Sequence, residues 1–114
     1  MTETEKLFEL LKDGISPAHA VSACEKRLTD AGFELLDYGT EWELVPGHRY
    51  VINHQETTLF AFSVPENWGK KEPVIRIAAA HTDFPCLRIK PSCDIKTNVY
   101  AQVNVEVYGG AILN

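Results

Sequence analysis

The stretch Ala78-Ala79-Ala80-His81-Thr82-Asp83-Phe84-Pro85-Cys86 contains the residue types best suited to chemistry in this chain. An apolar run, VIRIAAA, stops at a histidine, and an aspartate follows two positions later. In an extended chain, residues two apart point to the same side. His81 could therefore bind a metal through one ring nitrogen while Asp83 accepts a hydrogen bond from the other. A carboxylate in that position fixes the tautomer and raises the basicity of the ligand. The pair is also short enough to arise by chance, so the spacing leaves a metal site and a purely structural pair both open. Zinc takes about four donors, or three and a water in a catalytic site. The remaining histidines, His19, His48 and His54, fall in a helix start, a turn and a hairpin bend, none at ligand spacing from His81.

Other schemes have less behind them. There is no G-x-S-x-G elbow, P-loop or G-x-G-x-x-G in the sequence. Cys86 as a thiol nucleophile lacks a helix amino end to activate it. Three cysteines, Cys24, Cys86 and Cys93, with no C-x-x-C pair, signal neither a disulfide framework nor a thiolate zinc site, and they suit a reducing, cytoplasmic setting. The net charge of −5 argues against a nucleic-acid or anionic-membrane surface. No apolar run approaches the roughly 20 residues of a membrane span. The start, MTETEKLFELLKDG, is too charged for a secretory leader.

The elements that must position the pair follow from periodicity. The first residues form a short amphipathic helix with Leu7, Leu10 and Leu11 on one side. Ser16-Pro17 opens a second helix over residues 17–31, with Val21, Cys24 and Leu28 at helical spacing and Gly32 as its stop. FELLDYG and EWELVPG read as short extended pieces. RYVINH and TTLFAFSV form a hairpin, with Phe60, Phe62 and Val64 on one face. Residues 65–73 are a polar loop, and VIRIAAA is a mostly buried strand because it barely alternates. SCDIKTN is a second polar loop. VYAQVNVEVYGG alternates cleanly, with Val99, Ala101, Val103, Val105 and Val107 facing one way, and Gly109-Gly110 closing the strand. That apolar face needs cover, and only AILN follows it. Two expectations stand equally: the strand finishes a small sheet on earlier strands, or the sequence is the front of something larger.

Three ordered motifs, ISPAHAV, AAAHTDFPCLRIKP and VEVYGG, resemble those of the aspartyl aminopeptidase family of zinc metallopeptidases over residues 15–112. Ala31-Gly32-Phe33 and Trp42 match as well. The resemblance implies an α/β fold: the amino-terminal part of a zinc-peptidase α/β/α domain over residues 1–91, with helices and a mixed sheet. Residues 92–114 would start a second, β-rich domain. It further implies that His81 ligates one of two zinc ions, and that Asp83 is an active-site residue orienting a ligand histidine. In the complete family enzyme a bridging carboxylate, a bridging water and a general-base glutamate complete the hydrolysis of peptides, often at an acidic amino-terminal residue. Those further groups lie beyond the point matching Asn114, so the chain alone is expected to be inactive. The alternative is a non-catalytic module that self-associates through an exposed strand edge. Phe84 departs from the family's serine and Ala18 from its proline, and the motif rich in Trp, Asp and Arg after Y-G-G is not found.

Overall fold

A computed structural model of the chain describes residues 1–70, 72, 74–96 and 99–110. These fall into two compact units, Met1–Asp83 and Phe84–Asn114.

The first unit begins with α1 (Glu3–Asp13). Its capping box is complete: the Thr2 hydroxyl accepts from the Glu5 N–H, and the Glu5 carboxylate accepts from the Thr2 N–H at 2.7 Å. Helix α2 (Pro17–Asp30) starts as its sequence dictates, with Ser16 as cap and Pro17 at the first position. Its end is set by Ala31 and by Gly32, whose φ of +85° favours glycine. Helix α1 buries none of its residues, and Leu7, Phe8 and Leu11 remain exposed, whereas α2 buries Val21. The Arg27 guanidinium joins the helices, donating to the Lys6 carbonyl at 3.1 Å.

The sheet of this unit is mixed, in the order β1 (Glu34–Leu36), β2 (Arg49–His54), β3 (Thr58–Ser63). β1 runs parallel to the central strand β2, and β3 runs antiparallel to it with Tyr50 opposite Phe62 and Ile52 opposite Phe60. β2 carries the core: Tyr50, Val51 and Ile52 are buried together with Val21 of α2 and Val64 beyond β3. The Tyr50 hydroxyl accepts from the Val45 N–H at 2.8 Å, so the phenol's polar end is satisfied. Arg49 closes the corner between α2 and β2. It donates to the Ala31 carbonyl at 2.9 Å and lies 5.0 Å from the centre of the Phe33 ring. The expected hairpin is present, and Gln55 and Glu56 in its turn both have φ of 56°. EWELVPG contains no strand.

Two expectations are corrected. VIRIAAA is not a buried strand: residues 74–80 carry no strand, and Val74, Ile75 and Ile77 are 83%, 75% and 86% exposed. An unbroken apolar run shows what a segment would bury, but pairing requires a ladder with a neighbour, and among the described residues no layer covers these side chains. SCDIKTN is not simply a loop, because β4 (Cys86–Lys96) continues through residues 92–96; Thr97 and Asn98 lie outside the described residues.

In the second unit β4 pairs antiparallel with β5 (Ala101–Tyr108). The register jumps between Ile89, opposite Val105, and Asp94, opposite Val103, so β4 bulges around Pro91 and Ser92. Proline has no N–H to give a ladder, and Ser92 has φ of 56°, which suits a bulge. The position expected for a domain boundary, between Pro91 and Ser92, falls at this bulge. Opposed pairs share a face, so Leu87 and Val107 stand together with Ile89 and Val105. Leu87, Ile89, Val103 and Val107 are all more than half exposed. On the other face the Arg88 guanidinium stacks 3.4 Å from the centre of the Tyr108 ring. Gly109 ends β5 with φ of +89°, and a Cβ there would meet Pro85 at 3.0 Å. Residues 111–114, the AILN that was to follow the apolar strand, lie outside the described residues.

Candidate functional site

His81 and Asp83 are brought together as their spacing suggests. The His81 Nδ1 lies 3.0 Å from the Asp83 Oδ1. An ionised carboxylate can only accept, so the proton of a neutral His81 belongs on Nδ1. Nε2 is then left with its lone pair, and the side chain is 90% exposed while Asp83 is 29% exposed. This is the arrangement of an imidazole ligand with a supporting carboxylate behind it.

The support beneath the pair comes from the β2–β3 hairpin. Residues 79–83 line an open groove of about 500 Å³ together with Thr57, Thr58 and Leu59. Further along, Val74, Ile75 and Arg76 share a second groove with Ala61, Phe62 and Ser63. The segment therefore runs past β3 in the opposite direction to that strand. The Thr82 hydroxyl donates to the Thr57 carbonyl at 3.0 Å. The turn holding Thr57 is itself fixed. The Asn53 side-chain oxygen accepts from the Glu56 N–H at 3.0 Å, and the Asn53 amide donates to the Glu25 carboxylate of α2 at 2.6 Å. None of Thr82, Thr57 or Asn53 was singled out from sequence. Thr82 carries no signal beyond its place between His81 and Asp83, and its partner stands 25 residues away.

The other histidines stay apart from this pair. His19 lies in the first turn of α2, its Nδ1 2.7 Å from the hydroxyl of the cap residue Ser16. His48 pairs with Glu34 at 2.6 Å, and the His54 ring packs 4.4 Å from the Tyr38 ring. Among the described residues no group of three or more His, Cys, Asp or Glu side chains is arranged to hold a metal. The donors present thus fit one corner of a zinc site, His81 with its oriented carboxylate, and not a complete set. Cys24, Cys86 and Cys93 are free thiols, and Cys86 is exposed at the start of β4. Among the described residues no helix is long and apolar enough to cross a membrane.

Comparison with known proteins gives this geometry its context. The family described as aminopeptidase I zinc metalloprotease (M18) matches residues 10–114. A protein of Pseudomonas entomophila (strain L48) called "Probable M18 family aminopeptidase 2" is 40% identical over 110 residues, covering 94% of this chain and 25% of the relative. Its namesake in Pseudomonas putida (strain GB-1) is 39% identical with the same coverage. A chain in the cryo-EM structure of the Ape4 and Nbr1 complex superposes with a TM-score of 0.82 at 32% identity, over 91% of this chain and 20% of that one. The chain spans about a quarter of the length of the curated relatives it matches.

Proposed function

We propose, since this chain belongs to the aminopeptidase I zinc metalloprotease (M18) family, that it supplies the amino-terminal part of the site of a cytoplasmic zinc-dependent aminopeptidase. His81 is a zinc ligand through Nε2, and Asp83 is the active-site carboxylate that keeps the proton on Nδ1. The observation that carries this reading is the 3.0 Å contact between His81 Nδ1 and Asp83 Oδ1. Bound zinc would supply Lewis-acid activation for hydrolysis of the first peptide bond, with two ions and an often acidic first residue as the family resemblance implies. The chain's own residues hold and orient one donor. The remaining donors and the general base come from outside these residues, so the chain alone does not turn over substrate. On this reading residues 1–91 belong to the catalytic α/β domain and residues 92–114 start a second, β-rich domain, while the compact units divide at Asp83 and Phe84.

The test is a titration of the chain with cobalt(II), observed on the histidine ring resonances. Paramagnetic broadening should appear first at His81, vanish in His81→Ala, and need about ten-fold more metal in Asp83→Asn. Equal broadening at His19, His48 and His54 would remove His81 from the site. Hydrolysis of aspartyl or glutamyl amides by the zinc-loaded chain would overturn its inactivity.

A second reading, self-association, is favoured by one observation. The β4–β5 face formed by Leu87, Ile89, Val103 and Val107 is apolar and exposed. A second copy of the same face is the occupant it suits.

A further inference from the structure

Thr82 stands between the two residues of the candidate site, at a bend in the chain. Its hydroxyl reaches the Thr57 carbonyl at 3.0 Å. That carbonyl belongs to a turn anchored on both sides. Asn53 binds the Glu56 N–H and the Glu25 carboxylate, and β2 just before it contains the fully buried Tyr50 and Val51. A continuous series of contacts therefore runs from the core, through Asn53 and the turn, to the backbone beneath His81 and Asp83. Residues 74–80 form no strand that could hold the pair from the other side.

We propose that Thr82 is a positioning residue: by donating to the Thr57 carbonyl it pins residues 81–83 to the β2–β3 hairpin and holds Asp83 on Nδ1 of His81, so that Nε2 faces outward. The proposal rests on the reading of His81 as a ligand, but its physical content is a tautomer and needs no metal to be measured. Threonine suits the task because its hydroxyl donates while its branched side chain restricts χ1 and so holds the hydroxyl in place.

The experiment is ring-nitrogen NMR of the 114-residue chain at a pH where His81 is neutral, comparing the natural protein with Thr82→Val and Thr82→Ser. His81→Ala assigns the signal. The natural chain and Thr82→Ser should both hold the proton mainly on Nδ1. Thr82→Val, equal in shape but without the hydroxyl, should lose that preference by about two- to twelve-fold, the range set by one ordinary hydrogen bond. An unchanged tautomer ratio in Thr82→Val overturns the proposal, as does loss of the preference in Thr82→Ser. Should Thr82→Val fail to fold, the natural chain decides. A slowly exchanging Thr82 hydroxyl proton with a nuclear Overhauser contact to Thr57 supports the pin, and its absence rejects it. Failure of the cobalt titration with the tautomer result intact would sink the zinc reading and leave the positioning role standing.

Discussion

At His81 the assignment of one proton decides what the residue can do. With Nδ1 committed to Asp83, the ring offers a single outward lone pair; with the proton on Nε2 it offers none in that direction. The same economy operates at Gly32, where backbone shape rather than chemistry sets the residue type. Its φ is +85°, and a Cβ would sit 3.3 Å from the Arg49 guanidinium, which also binds the Ala31 carbonyl. Gly32→Ala should lower stability by about 1–2 kcal/mol in urea unfolding, since a left-handed non-glycine residue is strained and the Arg49 contact must shift. A change below a few tenths of a kcal/mol would mean that the corner relaxes freely. His81 and Asp83 were legible because two residues apart is a local relation. Thr82 was not, because its meaning lies in a partner on another element.

Among the elements, α2 and the hairpin followed directly from sequence. Ser16-Pro17 is a start signal with a local mechanism, and the two apolar runs RYVINH and TTLFAFSV either side of a short polar connection mark a hairpin. The hairpin turn is less than ideal, since Gln55 and Glu56 both occupy the left-handed region. Glu56→Gly should therefore stabilise the chain by about 0.5–1 kcal/mol, read as a higher urea midpoint at unchanged slope. A lower midpoint would show that Glu56 contributes more than its backbone strain costs. Two segments escaped sequence reading for opposite reasons. SCDIKTN looked like a loop because it is polar, yet a bulge absorbs Pro91 and Ser92 and pairing resumes at Asp94. VIRIAAA looked like a mostly buried strand because it barely alternates, yet strand formation depends on a partner and on cover.

For the whole molecule, the unbalanced quantity is exposed apolar surface. Val74, Ile75 and Ile77 in the first unit, and Leu87, Ile89, Val103 and Val107 in the second, stand in solvent. Contiguous apolar surface of this kind is normally an interface. Replacing Val103 and Val107 together with threonine keeps the branched shape that strands favour while removing apolar surface. Sedimentation velocity at micromolar concentration should show concentration-dependent association of the natural chain, and a shift to monomer in the double variant. A natural chain that sediments as a monomer throughout would remove self-association through this face.

By itself the sequence determined the α2 cap, the hairpin, the spacing of His81 and Asp83, and the motifs that place the chain in the aminopeptidase I zinc metalloprotease (M18) family. All of these are local in the chain or ordered along it, so neighbouring residues suffice to specify them. Only the tertiary structure decided that residues 74–80 pass β3 without becoming a strand, that β4 bridges its own proline through a bulge, and that Thr82 ties the candidate site to a turn 25 residues earlier. Each of those depends on which surfaces meet, and contact between distant segments is set by the packing of the whole unit rather than by any short stretch of residues.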